Sequence, residues 1–118
     1  MDILNVRLPY PPSINHYYVH TAKGMCIGRF GKKFRTDVCF LMSRYAGKFS
    51  QYDRLSLVIE VYPPDKRRRD LDNVLKSLID AIQHAKVFPD DSQIDALRVY
   101  RREPVQHGRV DVCIDICC

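Results

Sequence analysis

The sequence predicts an α+β fold: a single domain over residues 1–118, built as a mainly antiparallel sheet with two helices packed on one face. Three observations carry this. Leu55 to Tyr62 and Val110 to Ile116 alternate apolar and polar residues strictly, as half-buried strands do. Leu71, Val74, Leu75, Leu78, Ile79 and Ile82 recur at helical spacing. A chain of 118 residues has room for one core and not two.

Taken in order, Ile3 to Leu8 reads as a first strand, with Leu4, Val6 and Leu8 on one face, stopped by Pro9, Pro11 and Pro12. Ser13 to His16 reads as a polar loop. Tyr17 to His20 and Met25 to Phe30 read as short strands around a Lys23-Gly24 turn. From Gly31 to Phe49 the apolar positions Phe34, Val38, Leu41, Met42, Tyr45 and Phe49 predict a helix. The Leu55 to Tyr62 strand ends at Pro63-Pro64, and a second helix is predicted over 70–85. Pro89-Asp90-Asp91-Ser92 makes a sharp turn. Strands over 94–102 and 110–116 follow, and the short connection containing Gly108 predicts a hairpin between them.

Lys and Arg number 19 against 14 Asp and Glu, a net charge of +5, which favours an anionic partner such as nucleic acid. No apolar run reaches the roughly 20 residues that span a bilayer, and Met1-Asp2-Ile3-Leu4 carries no basic leader. A cytoplasmic protein without membrane contact is expected. Cys26, Cys39, Cys113, Cys117 and Cys118 form no C-x-x-C pair and, with His16, His20, His84 and His107, no zinc set; reduced thiols are expected, and the vicinal Cys117-Cys118 pair is given no function.

The chemistry concentrates in PPDKRRRDLDNVLK, residues 63–76. Four cations, Lys66 to Arg69, run into Asp70-Leu71-Asp72-Asn73. Clustered like charges repel, and a polyanion relieves that repulsion with release of counterions. Asp70 and Asp72 could simply cap the helix and oppose its dipole. The second pair, Asp90-Asp91, weakens that reading, because converging carboxylates make an oxygen-only site suited to Mg²⁺ or Mn²⁺, which activates water for phosphodiester hydrolysis.

Convergence is a geometric problem. A helix over 70–85 is about 24 Å long, which leaves Asp91 at its far end. The connection could fold back, the helix could be shorter, or a partner subunit could supply Asp91. Lys76 lies four residues after Asp72, and spacing alone favours a surface ion pair between them. Tyr17 and Tyr18 are expected to place one ring in the core and one on the surface. Arg98, Arg101, Arg102 and Arg109 could extend a DNA surface, Arg98 and Arg102 foremost because they share a strand face.

The string KRRRDLDNVLKSLIDAI, the later PDDSQI and the opening LPYPPSINHYY together resemble the RusA family of crossover-junction endodeoxyribonucleases, over nearly the whole chain. The resemblance implies a homodimeric, Mg²⁺-dependent nuclease, with Mn²⁺ substituting, that resolves four-way DNA junctions by paired nicks in a bacterial cell, phage- or prophage-encoded. It implies metal-binding acids at Asp70, Asp72 and Asp91, with Asp90 supporting, and an essential lysine at Lys76. It implies DNA contacts from Ser13, Ile14, Asn15 and His16, and from Lys66, Arg67, Arg68, Arg69 and Asn73. No other protein partner is implied. The competing reading is a non-catalytic basic phage protein that holds branched or single-stranded DNA; the acids argue against it, since a pure binder gains nothing from carboxylates beside phosphate.

Overall fold

The computed structural model describes residues 3–117. The expectation drawn from Met1 and Asp2, and the pairing of Cys117 with Cys118, fall outside them. The elements are strand β1 (Leu4–Pro9), the one-turn helix α1 (Ile14–Tyr17), strands β2 (Tyr18–Thr21) and β3 (Gly24–Ile27), helix α2 (Arg29–Leu41), strand β4 (Leu55–Tyr62), helix α3 (Asp72–His84), and strands β5 (Ile94–Arg101) and β6 (Arg109–Ile116). The α+β expectation holds. The polar loop at Ser13 to His16 contains a helical turn, and the helix expected to reach Phe49 stops at Leu41, with a separate 3₁₀ turn at Ser43–Tyr45.

The main sheet runs β1-β6-β4-β5, while β2 and β3 form a separate ribbon. β6 pairs antiparallel with both β1 and β4, and β5 pairs parallel with β4. The predicted β5–β6 hairpin is therefore wrong: β4 lies between the two strands. Burial explains the choice. Every second residue of β4 is buried, so it needs a partner on both sides, whereas β5 buries little and serves as an edge. A parallel β4–β5 pair requires a crossover, and α3 provides it.

The segment between β5 and β6 instead crosses the C-terminal end of β4. Arg102 donates its backbone N–H to the Val61 carbonyl and Val105 donates to that of Pro63. Gly108 sits at φ 68°, where a side chain would press on Pro64 and Tyr10.

Leu4, Leu8, Leu55, Leu57, Ile59, Val61, Val110, Val112 and Ile114 make one apolar face of the sheet. Phe34 and Val38 of α2 and Val74, Leu78, Ala81 and Ile82 of α3 join the same core. Two helices on one face is the predicted arrangement. The opposite face is polar, and several of its cations are paired: Arg7 with Asp111 at 3.3 Å and Arg102 with Glu60 at 2.8 Å. Among the described residues no helix is long and apolar enough to cross a membrane, and Cys26, Cys39, Cys113 and Cys117 are free thiols.

Candidate nuclease site

Two acidic groups lie at opposite ends of α3. At its start, Leu71 rather than Asp70 occupies the cap position, and no side chain caps the helix. Asp70 and Asp72 are exposed, and neither has a side-chain hydrogen bond or an ion pair among the described residues. The capping duty that sequence allows Asp70 is thus not performed. The Asp72–Lys76 ion pair does not form either; the Lys76 ammonium instead lies 5.7 Å from the centre of the Tyr18 ring. Two carboxylates thus stand exposed at one end of the helix without a side-chain hydrogen bond or ion pair among the described residues, and exposed Lys76 follows one turn later.

At the other end, the chain does not fold back. Lys86 takes a left-handed conformation at φ 64°, and Val87 and Phe88 plug into the core fully buried. Asp90 then caps the 3₁₀ turn Asp91–Gln93, accepting from the Ser92 backbone N–H at 3.3 Å while its own N–H reaches Gln93 Oε1 at 3.0 Å. Buried Gln93 donates to the carbonyls of Ser50 and Asp53 at 2.7 and 2.9 Å. The Asp91 backbone N–H donates to Gln83 Oε1 at 3.0 Å, which ties it to the last turn of α3. The 13 residues of α3 span about 20 Å, so Asp91 stays a helix length from Asp72. Among the described residues, no three His, Cys, Asp or Glu side chains form a group that could hold a metal.

The carboxyl groups of the turn differ in charge behaviour. Hydrogen bonds from Ser92 hold Asp90 below the usual carboxylate range. Burial, then the adjacent Asp90, then Asp80 push Asp91 above it.

The cationic stretch wraps the start of α3. Arg69 donates to Asp65 Oδ1 at 2.7 Å, and Arg67 lies 3.3 Å from the same carboxylate. The Arg69 hydrogen bond, then that from the Arg67 backbone N–H at 2.9 Å, hold Asp65 well below its usual range. The four-cation run is therefore partly neutralised by its own loop, a relief of repulsion that the sequence reading assigned wholly to a polyanion. Lys66 and Arg68 are exposed and form no ion pair among the described residues.

Lys66 to Asp70 line a cleft of about 400 Å³ together with Tyr10, Arg101 and Arg102. Arg101 donates to the Arg69 carbonyl, while Arg102 is held by Glu60. Of the four arginines that the sequence offers for a DNA surface, Arg101 and Arg102 both line this cleft, while by register Arg98 lies opposite Val58 on the polar face and Arg101 opposite core-facing Val61. The alternation of β5 was readable, but not which of its faces looks toward the acids.

The N-terminal motif joins the same end of α3. Ser13, His16, Arg69 and Asn73 line one pocket. Asn15 and His16 are exposed and Ile14 half-buried. The turn is pinned from beneath: Ser77 Oγ donates to the Pro12 carbonyl at 3.0 Å. Tyr17, fully buried, donates its hydroxyl to Asp80, which also accepts from Arg35 Nη2 at 2.7 Å. Burial and the Asp80 hydrogen bond push the Tyr17 hydroxyl far above its ordinary range. Tyr18 is half-buried with its ring edge-on to Tyr17, so one core ring and one outer ring is the observed arrangement. The Tyr17–Asp80–Arg35 anchor was missed, because nothing in the spacing joins residues 17, 35 and 80.

Residues 9–116 match the family described as endodeoxyribonuclease RusA. The chain belongs to the RusA endodeoxyribonuclease family. It is 39% identical over 107 residues to the crossover junction endodeoxyribonuclease of Enterobacteria phage HK97, covering 91% of this chain and 89% of that protein. It is 32% identical over 114 residues to the proteins of that name from Escherichia coli K12 and Enterobacteria phage 82, covering 97% of this chain and 95% of each. The RusA match spans both ends of α3, the cationic stretch and most of the proline-rich opening.

Proposed function

We propose that this protein is a crossover-junction endodeoxyribonuclease that resolves four-way DNA junctions by paired, Mg²⁺-dependent nicks as a homodimer. Asp70 and Asp72 of one chain act with Asp91 of the other. The observation that carries this is the separation along α3: Asp70 and Asp72, without side-chain hydrogen bonds or ion pairs among the described residues, stand at one end, and exposed Asp91, fixed at its backbone, stands at the other.

An apolar seam supports the two-chain site. Leu71, Leu75 and Ile79 are half-buried along α3, and Leu97, on the helix-facing side of edge strand β5, is 43% exposed. Ile79, Ile94, Leu97 and Asp91 line one groove. A two-fold axis across this seam runs two α3 helices antiparallel and carries each Asp91 to the other chain's Asp72. The same operation places two sites in fixed relation, which paired nicks in a two-fold substrate require.

The donor set fits a hard divalent cation, with Mn²⁺ expected to substitute, since all its ligating atoms are carboxylate oxygens. Such an ion supplies an activated water and neutralises charge at the phosphate. Lys66 and Arg68 draw in the phosphodiester backbone, Ser13 to His16 and Asn73 orient it, and Lys76 offers its ammonium to charge that develops as the strand breaks. The alternative, a basic DNA binder without cleavage, leaves Asp70 and Asp72 facing phosphate to no benefit.

The test is incubation of a mobile four-way junction with the protein in Mg²⁺ and then in chelator, with products on a denaturing gel and mass by light scattering. Symmetric nicks in Mg²⁺ only, from a particle of twice the chain mass, are expected. Binding without nicks, or full resolution by a monomer, would refute the proposal.

A further inference from the structure

Phe30 is half exposed, at 50%, on the first turn of α2. Its ring centre lies 6.0 Å from that of His16, and the Arg29 guanidinium lies 4.9 Å from it. His16 in turn shares a pocket with Ser13, Arg69 and Asn73 and sits 3.2 Å from Ser13 Oγ through Nδ1. Phe30 thus extends the candidate DNA surface by one aromatic ring, in a stretch the sequence reads as the end of a strand.

The backbone that carries the ring is packed closely against that surface. The Gly28 backbone N–H donates to the Tyr17 carbonyl at 2.9 Å. A side chain at Gly31 would come within 2.4 Å of that same carbonyl, and one at Gly28 within 3.3 Å of the His16 carbonyl. These two glycines let α2 begin in direct contact with the end of α1. Tyr17 is itself anchored to Asp80 and Arg35, so Phe30 and His16 share one rigid base. An aromatic ring left in water, with an arginine against it and beside the candidate DNA-binding turn, has the makings of a nucleobase platform.

We infer that Phe30, with His16 at its edge, is a stacking platform for an unpaired nucleobase at the crossover of a four-way junction, and so a determinant of junction over duplex. The inference rests on the proposed junction activity and names a residue that discriminates substrates within it. Bases of a linear duplex are already stacked and give the ring nothing; a base freed at the crossover covers its exposed surface. Arg29 contributes charge to either substrate, so the discrimination falls to the ring.

The chain contains no tryptophan, so Phe30→Trp places its single indole at the platform, excited selectively at the long-wavelength edge where the tyrosines do not absorb. Saturating junction is expected to quench that emission strongly, and linear duplex at matched saturation is not. Phe30→Ala is expected to weaken junction binding about tenfold more than duplex binding, on the scale of one lost base stack. Phe30→Trp retains the junction preference and Phe30→Leu does not, which separates stacking from simple packing. Thermal melting of each variant checks that it folds. Equal quenching by duplex and junction, no quenching by either, or an unchanged junction preference in Phe30→Ala overturns the inference while wild-type cutting leaves the junction activity standing. A wild-type protein that neither prefers nor cuts junctions overturns both.

Discussion

At the start of α3 the carboxylates of Asp70 and Asp72 accept no hydrogen bond among the described residues, and the helix begins without a side-chain cap. At its end, the Asp90–Gln93 turn is tied by a reciprocal cap and by Gln93 and Gln83 side chains. The same residue type does different work in each place. Asp90 spends its carboxylate on backbone N–H groups, as caps do. Asp91 has its backbone fixed by neighbours and its carboxylate left over. The first end is open and poorly capped, which costs local stability; the second is rigid and delivers one acid at a fixed position. A site that draws on both ends combines substrate access with a firmly held ligand.

The largest expected effect tests the acids directly. Asp70→Asn, Asp72→Asn and Asp91→Asn should each reduce Mg²⁺-dependent nicking to background while junction binding persists in gel-shift assays. A variant that cuts at wild-type rate is no ligand. Lys76→Ala belongs with them if its rate loss exceeds its affinity loss.

Stability should break the comparison in the other direction. Gln93→Ala removes the partner of two part-buried carbonyls and of the Asp90 N–H, and should cost about 2 kcal/mol in urea unfolding. Asp70→Asn should change the same measurement by less than about 0.5 kcal/mol. Equal losses at the two ends would erase the distinction drawn between them.

Lys66→Ala with Arg68→Ala should weaken binding to every DNA and flatten its log–log salt dependence by about 0.9 for each lost contact. Arg67→Ala should do less, because Arg67 is already paired with Asp65. An unchanged slope in the double variant would turn the stretch away from DNA.

The smallest effect is on pH dependence. The folded state holds the Asp91 proton more tightly than the unfolded chain, whose value lies near 3.8. Stability from this group is therefore present below that value and lost as pH rises through the higher folded one. In chelator, Asp91→Asn should melt slightly above wild type at pH 7 and level with it at pH 3.

Much of this was legible because it depends on local pattern. The strict alternation of Leu55 to Tyr62 and the stripe from Leu71 to Ile82 located β4 and α3, and the contrast between Lys66–Arg69 and Asp70-Leu71-Asp72 located the exposed, uncapped start of α3. What failed was non-local. The β5–β6 connection looks like a hairpin because loop length and Gly108 report only on the two strands they join; that β4 takes the place between them is decided by its burial on one face and its need for two partners. Arg101 ranked behind Arg98 and Arg102 for the same reason, since parity along β5 says nothing about which side faces Arg69. The distance problem between Asp72 and Asp91 was visible in helix length alone, but its resolution depended on Val87 and Phe88 plugging the core and holding Asp91 away.

The two-chain site is tested most directly by mixing two inactive proteins. Asp70→Asn and Asp91→Asn homodimers each carry two defective sites. After subunit exchange, a heterodimer with shared sites has one site with both substitutions and one with none. The expected result is recovery of single-strand nicking on a four-way junction, to about half the wild-type rate per heterodimer, without paired resolution. If Asp70 and Asp91 instead act within one chain, both heterodimer sites are defective, and a mixture that exchanges subunits yet stays as inactive as its components contradicts the account.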